Sequence, residues 1–131
     1  MAPAGTELIV GAVVDPAFGP LVVCGAAGEG VELLGDVETR LAPLDPGEAD
    51  GMLRALRSFR LLDGYRGRTP ADLDALRDLV LRVGALVATH PSVAELDLDP
   101  VVAAPEGALV VDARVRLEAP DPAAPFLSLG V

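Results

Sequence analysis

Apolar and charged residues alternate with period two in two neighbouring segments, residues 95–99 and 108–117. Successive side chains of a strand point to opposite sides, so this pattern predicts two strands, each with one apolar and one charged face. The Pro-Glu-Gly sequence at residues 105–107 separates the segments and favours a turn. The pattern therefore predicts a β-hairpin.

Symmetric pairing about this turn brings three pairs of charged residues face to face: Glu95 and Arg116, Asp97 and Arg114, Asp99 and Asp112. The first two pairs are complementary, whereas Asp99 and Asp112 repel each other unless a proton or a cation lies between them. Carboxylate oxygens on adjacent strands suit a hard divalent ion such as Mg²⁺. A solvated acidic edge is the alternative, and a bulge at Gly107 would shift the register and separate the two carboxylates.

Three further strands are predicted where short apolar runs are separated by turn residues: residues 8–14, 21–24 and 31–41. Two helices follow these strands. Asp45 and Pro46 begin the first helix, and Thr69 and Pro70 begin the second, whose apolar residues recur at spacings of three and four. The order of elements predicts an α+β fold, in which two helices cover one face of a mainly antiparallel sheet.

The length and composition indicate one domain with an aliphatic core. The chain has 131 residues, of which 51% are hydrophobic and 3% aromatic. This size is sufficient for one hydrophobic core. We expect a flexible arm at residues 1–5, a folded domain at residues 6–118 and a Pro/Ala-rich tail at residues 119–131.

The net charge of −10 argues against a nucleic-acid partner, because a phosphate backbone needs basic residues to neutralise it. No signal peptide or membrane span is recognisable, so a cytoplasmic protein without a membrane partner is expected. All ten basic residues are Arg, and five lie within residues 54–68. They form either an anion site or, the interpretation we favour, a solvated helix face followed by a loop; Arg66 is a candidate for the former.

The single cysteine and the single histidine both have structural interpretations. Cys24 ends an apolar strand and has no partner for an intrachain disulfide, which predicts a small buried hydrophobe. His90 precedes Pro91 at a predicted helix end, where an imidazole caps the last carbonyl groups.

Several segments, in order, resemble the end of the ATP-grasp domain in NDP-forming acyl-CoA synthetases of the ADP-forming acetate–CoA ligase type. They are residues 7–11, 15–20, 31–36, 40–44, 62–67, 95–100 and 110–114. The resemblance covers roughly residues 6–118. The same domain also occurs fused to acetyltransferase domains.

This resemblance implies the C-terminal part of an ATP-grasp nucleotide-binding domain, with Mg²⁺ and ATP as cofactors. The family's ligases join a carboxylic acid to CoA, forming acyl-CoA, ADP and phosphate through a phosphohistidine. The implied metal ligands are Asp99 and Asp112, with Asp97 beside them. The implied nucleotide-binding residues are Gly25, Gly28, Arg66 and Arg114.

Two regions depart from the family pattern. Asp99 stands where the family usually has Asn, and Ala27 and Glu29 alter its Gly-rich loop. His90 does not occupy a family-like phosphohistidine position, and we expect the chain to lack the N-terminal half of the domain. We therefore expect the isolated chain to be inactive and to bind the missing synthetase domains or a second copy. The alternative is a non-catalytic, stand-alone remnant that binds or regulates a partner.

Overall fold

The computed structural model describes residues 5–27 and 35–119. Six strands are present in this part of the chain: β1 (Thr6–Asp15), β2 (Gly19–Ala26), β3 (Val37–Leu41), β4 (Val93–Ala104), β5 (Gly107–Val110) and β6 (Ala113–Leu117). Three α-helices lie between β3 and β4: α1 (Pro46–Ala55), α2 (Phe59–Leu62) and α3 (Leu73–Thr89). A 3-10 turn, Tyr65–Gly67, separates α2 from α3.

All strand pairs form one antiparallel sheet in the order β3-β2-β1-β4, and β5 and β6 both pair with β4. Helix α3 packs against β1, β2, β4 and β5, and α1 packs against α3 and β3. The predicted α+β fold, with helices on one face of an antiparallel sheet, is confirmed. We call the helix-bearing side of the sheet the covered face and the other side the open face.

Strand β1 shows how sequence alternation separates the two faces. Leu8, Val10 and Ala12 are buried and belong to the hydrophobic core, whereas the alternate residues Ile9 and Val13 are only half-buried. Core residues of the helices complete the covered face, and the largest fully buried ones are Met52, Leu62, Leu76 and Val80. Burial of these aliphatic side chains is the main stabilising contribution to the fold.

The predicted start of the first helix is confirmed. Asp45 is the N-cap of α1, and its carboxylate accepts a hydrogen bond from the Glu48 amide at 2.7 Å. The Glu48 carboxylate in turn accepts from the Asp45 amide at 3.1 Å. This reciprocal capping satisfies amides that the helix itself leaves without partners.

The predicted start of the second helix at Thr69 is wrong, because α3 begins at Leu73 with Asp72 as its N-cap. The Ala71 amide donates to the Leu62 carbonyl at 2.8 Å, and the Asp72 amide donates to the Ala104 carbonyl at 2.9 Å. The backbone before Leu73 is therefore bonded to α2 and β4 and is not available for a helical turn.

The predicted single strand at residues 31–41 is also corrected. Residues 31–34 lie outside the described residues, and β3 begins only at Val37. Gly35 forms a turn with a φ of 62°, a left-handed conformation that favours glycine. The buried Asp36 carboxylate accepts hydrogen bonds from the amides of Arg57 (2.6 Å) and Ser58 (3.1 Å), which ties this turn to the end of α1.

His90 is the C-cap of α3, as predicted, and its ring Nδ1 lies 3.0 Å from the Leu86 carbonyl oxygen. Helix α2 and the 3-10 turn were not predicted. No helix in residues 5–27 and 35–119 is long and apolar enough to cross a membrane.

Candidate metal and nucleotide site

The C-terminal hairpin pairs in the predicted register. Glu95 pairs with Arg116 and Asp97 with Arg114 in the β4–β6 ladder, and Ala104 pairs with Gly107 beside the turn. No shift therefore occurs at Gly107. The Glu95 carboxylate and the Arg116 guanidinium are 3.4 Å apart, which makes this predicted pair an ion pair.

Asp112 lies in the break between β5 and β6, and Asp99 lies on β4 opposite this break. The register on both sides of this break is the same, and it places Asp99 opposite Asp112. The Asp99 amide donates to the Asp112 carbonyl at 3.1 Å, and the Val111 amide donates to the Pro100 carbonyl at 3.0 Å. These backbone bonds hold the two aspartates together across the interruption.

A pairing irregularity with β1 occurs at the same level of the sheet. The β1–β4 register shifts between Leu8, which pairs with Val101, and Val10, which pairs with Leu98. Leu98 and Val101 are consequently both buried in the core although they are three residues apart. Asp99 and Pro100 lie within this irregularity. Such bulges redirect side chains and are frequent beside functional sites.

Three carboxylates and one guanidinium line a small pocket here. Its volume is about 100 Å³, and its lining residues are Asp97, Asp99, Asp112 and Arg114. We call this the acidic pocket. The side chains of Asp99 and Asp112 are exposed and that of Asp97 is half-buried. The structure thus brings together the three predicted metal-site residues and one of the four predicted nucleotide-binding residues.

Electrostatics in the acidic pocket favour a bound cation. Burial raises the pKa of the Asp97 carboxyl, the neighbouring Asp99 carboxylate raises it further, and the Arg114 guanidinium opposes this change. The raised pKa means that Asp97 lies in a region where added negative charge is unfavourable. A cation between the carboxylates would relieve that repulsion.

The donor set fits a hard cation that retains most of its water. No group of three or more His, Cys, Asp or Glu side chains within the described residues is arranged to hold a metal ion by itself. The opposed carboxylates of Asp99 and Asp112 provide two oxygen donors. Mg²⁺ commonly binds one or two carboxylates and completes its coordination with waters and substrate phosphates. The pocket therefore suits Mg²⁺ better than a metal that needs a complete protein cage.

The other predicted nucleotide-binding residues do not line the acidic pocket. Gly25 lies in β2 opposite Ile9 and Val37, and Gly28 lies outside the described residues. Arg66 lies in the 3-10 turn, where its guanidinium carbon is 5.2 Å from the centre of the Tyr65 ring. The structure therefore separates Gly25 and Arg66 from the carboxylates.

A second pocket lies at the end of β2, beside the residues that follow Gly25. It has a volume of about 300 Å³ and nine lining residues: Gly5, Thr6, Glu7, Ala26, Ala27, Ser58, Leu61, Tyr65 and Arg68. The hydroxyl oxygen of Ser58 is buried there without a hydrogen-bond partner. Sequence reasoning missed Ser58, because its position depends on the contact of the α1–α2 junction with Asp36.

The arginine-rich window is mostly exposed surface, as favoured from the sequence. All five of its arginines are exposed. Arg54 pairs with Asp50 at 2.7 Å and stacks over the Phe59 ring at 5.0 Å, and Arg60 stacks over Tyr65 at 5.3 Å. Among them, Arg68 lines the second pocket.

Cys24 is buried, and burial raises the pKa of its thiol to about 12. A thiol with this pKa carries almost no thiolate at neutral pH and is a poor nucleophile. The prediction that Cys24 is a small hydrophobe is confirmed.

Comparison with known proteins gives a consistent result. A family model described as "ATP-grasp domain" matches residues 1–117. An ADP-forming acetate–CoA ligase I of Archaeoglobus fulgidus is 48% identical over 117 residues, which cover 89% of this chain and 17% of that protein. The beta subunit of the Pyrococcus furiosus ADP-forming acetate–CoA ligase I is 41% identical, with 89% of this chain and 50% of the subunit covered. The chain thus spans half or less of these relatives.

A solved structure shows the same fold. It is the dinucleotide-forming acetyl-coenzyme A synthetase 1 of Candidatus Korarchaeum cryptofilum, in complex with coenzyme A and Mg-AMPPCP. The TM-score is 0.85 at 44% identity, and the match covers 90% of this chain and 55% of that one. The fold described above therefore matches the fold of about half of that solved chain.

Proposed function

Because the chain belongs to the ATP-grasp domain family, we propose that its acidic pocket holds Mg²⁺ on the phosphates of a bound nucleotide. The observation that carries this proposal is the position of Asp99 opposite Asp112 in a pocket of about 100 Å³. Two like charges directly opposite each other on adjacent strands are unfavourable without a counter-ion. A divalent ion bound to both carboxylates would compensate their charge, and its remaining coordination positions would be open to water and phosphate oxygens.

Each residue of the acidic pocket has a distinct proposed role. Asp99 and Asp112 bind the metal directly. Asp97 and Arg114 hold these ligands in place, as residues around a metal site commonly do, and the Arg114 guanidinium offsets part of the local negative charge. When bound, Mg²⁺ would neutralise charge on the phosphates during phosphoryl transfer.

We further propose that Gly25, Gly28 and Arg66 belong to the nucleotide-phosphate side of the same cleft. Ala26 and Ala27 follow Gly25 in the chain, and Tyr65 precedes Arg66; all three line the second pocket. Part of the cleft wall would come from the half of the domain that this chain does not match. A cleft completed by that other half would account for the position of Gly25 and Arg66 away from the carboxylates.

The wider activity that we propose is that of an NDP-forming acyl-CoA synthetase, in which this segment serves as the C-terminal part of the ATP-grasp domain. The overall reaction converts an acid, CoA and ATP into acyl-CoA, ADP and phosphate. A phosphoryl-transfer transition state needs cationic and metal contacts on several sides. We therefore expect the 131-residue chain to bind nucleotide weakly and to need the other synthetase domains as partners. With ATP and CoA as reactants, we expect it to work in the cytoplasm.

Titration with Mg²⁺ and a non-hydrolysable ATP analogue, followed by NMR, tests the proposed site. We expect chemical-shift changes centred on Asp99 and Asp112, and larger changes with both ligands than with either alone. Asp112→Asn should weaken the response, and the Asp99→Ala/Asp112→Ala chain should lose it. Glu95→Gln is the matched control, because it removes a carboxylate from the same strand outside the acidic pocket. An unchanged titration in the double variant would refute the assignment.

An activity assay tests the proposed dependence on other domains. Purified chain with ATP, CoA and a panel of short carboxylic acids should produce no acyl-CoA. Turnover by the chain alone that Asp112→Ala abolishes would show that the segment is catalytically sufficient and would overturn this part of the proposal.

A non-catalytic binding module is the second candidate function. It is favoured by Ala27 and Glu29, which depart from the Gly-rich loop of the family pattern. Addition of separately produced N-terminal synthetase domains distinguishes the candidates. Restored acyl-CoA synthesis supports the catalytic proposal, whereas binding without activity supports the module.

A further inference from the structure

Strand β3 forms one edge of the described sheet, and alternate residues present their backbone groups outward. At its two ends, hydrogen bonds to β2 run from the Ala42 amide to the Pro20 carbonyl (3.0 Å) and from the Ala26 amide to the Asp36 carbonyl (3.1 Å). Bonding alternates along an antiparallel ladder. The residues that bond inward are therefore Glu38 and Arg40, and those that point outward are Val37, Thr39 and Leu41.

The side chains of this edge also divide by charge. Glu38 and Arg40 pair with the core residues Cys24 and Val22, so they lie on the covered face, where a 3.0 Å ion pair joins them. Val37 and Leu41 lie on the open face and are 44% and 56% exposed. Thr39 is exposed between them. The edge thus has an apolar row on one side and one residue of each charge on the other.

We propose that β3 pairs antiparallel with β3 of a second copy of this chain, about a two-fold axis at Thr39. In this register each Val37 faces the other copy's Leu41, and each Glu38 faces the other copy's Arg40. Both the apolar contact and the charge contact are self-complementary, as an isologous interface requires. The inference does not rest on the proposed nucleotide function.

The hydrogen-bonding pattern selects the same register. Thr39, Val37 and Leu41 all present their amide and carbonyl groups outward, so each meets an outward-facing residue of the second copy and the two exchange two hydrogen bonds. Glu38 and Arg40 form the alternate pairs, whose side chains approach most closely. The Thr39 carbonyl accepts a hydrogen bond from the Arg40 guanidinium at 2.9 Å, a contact compatible with its outward direction in the ladder.

The opposite edge does not offer this complementarity. A pairing of β6 with itself about Val115 would place Arg114 against the other copy's Arg116 on both sides of the axis. Like charges directly opposite each other destabilise a strand pair. Natural sheets also protect their edges with charged residues, prolines and bulges. Residues 37–41 contain no proline or glycine and direct both charges away from the open face.

Charge substitutions test the register, with sedimentation equilibrium of the 131-residue chain over a range of concentrations as the measurement. The wild-type chain should form a concentration-dependent dimer. Glu38→Arg alone or Arg40→Glu alone places like charges opposite each other and should weaken association at least about tenfold. The Glu38→Arg/Arg40→Glu chain should recover it. A mixture of the two single variants should form a heterodimer, because their strands are then complementary.

A backbone substitution provides a second test. Thr39→Pro removes an outward amide without removing a bond to β2, so it should abolish the dimer while the circular dichroism spectrum stays unchanged; Thr39→Val is the matched control and should leave association intact. Monomeric wild-type chain at all concentrations would overturn the proposal. So would a dimer that Thr39→Pro leaves intact, or one that both single charge variants leave unchanged.

Discussion

The two faces of the sheet follow the same alternation but have different physical roles. On the covered face, Leu96 and Leu98 are buried beneath the helices. On the open face of the same strand, Glu95 and Asp99 are exposed and Asp97 is half-buried. Neighbouring residues of one strand therefore belong to different environments.

This difference shows where stability and chemistry reside. The covered face gains free energy from removing apolar surface from water. The open face carries carboxylates that oppose each other across a strand pair, an arrangement that contributes little to stability without a ligand. We expect substitutions on the covered face to change the free energy of unfolding and those on the open face to change binding.

Adjacent substitutions in β4 should show the largest contrast. Leu98→Ala removes a buried side chain and should lower the free energy of unfolding by about 3 kcal/mol, within the range for buried leucines. Asp99→Ala, one residue away, should change it by less than about 0.5 kcal/mol. Urea denaturation of both variants measures this difference. Equal losses would contradict the separation of the two faces.

Gly11 is an exception on the open face, because it is packed as tightly as the core. A Cβ built at Gly11 would lie 2.7 Å from the Leu96 carbonyl oxygen. Gly11→Ala should therefore cost about 1–3 kcal/mol, since the backbone must shift. Gly51→Ala in α1 is the matched control: a Cβ there meets nothing within 4 Å, and the change should stabilise the protein by up to about 1 kcal/mol. Thermal unfolding of both variants tests this; stabilisation by Gly11→Ala would be incompatible with the close packing.

The covered face should also confer a pH dependence through Cys24. Its thiol pKa is raised from 9.0 to about 12 by burial, so the unfolded chain ionises first as the pH rises. Ionisation of this thiol therefore leaves the free energy of unfolding unchanged below pH 9 and lowers it as the pH rises towards 12. At pH 10 the loss should be about 1.5 kcal/mol.

Denaturation at pH 8 and pH 10 measures that loss in the wild type and in Cys24→Ala. The variant has no thiol, so its free energy of unfolding should fall less between the two pH values, by the amount lost through the thiol in the wild type. Equal changes in both proteins would show that the thiol is not buried in the folded state.

The smallest effect should come from the exposed Glu95–Arg116 ion pair. Its 3.4 Å separation and exposed side chains make its coupling weak. A double-mutant cycle with Glu95→Gln and Arg116→Gln should give a coupling within experimental error at physiological salt. A coupling that is large and insensitive to salt would mean that the open face contributes to stability more than we expect.

The hairpin could be predicted from the sequence because its information is local and redundant. Alternation set the faces, the Pro-Glu-Gly turn set the loop, and two complementary charge pairs set the register. The acidic pocket followed from that register, because Asp99 and Asp112 lie equally far from the turn on the two sides of the hairpin and therefore face each other.

Other features depend on contacts between distant parts of the chain. Thr69 and Pro70 carry a local helix-start pattern, but hydrogen bonds to Leu62 and Ala104 delay α3 until Leu73. Residues far apart in sequence likewise form the second pocket, which no local pattern predicts.

Paramagnetic relaxation with Mn²⁺ tests most directly whether the acidic pocket is a metal site. Mn²⁺ has the oxygen-ligand preference of Mg²⁺ and broadens NMR signals according to distance. We expect trace Mn²⁺ to broaden the amide signals around Asp99 and Asp112 first, and excess Mg²⁺ to reverse the effect. The Asp99→Ala/Asp112→Ala chain should lose this broadening. Broadening centred on other acidic residues, or unchanged in the double variant, would contradict the assignment of the metal to the open face.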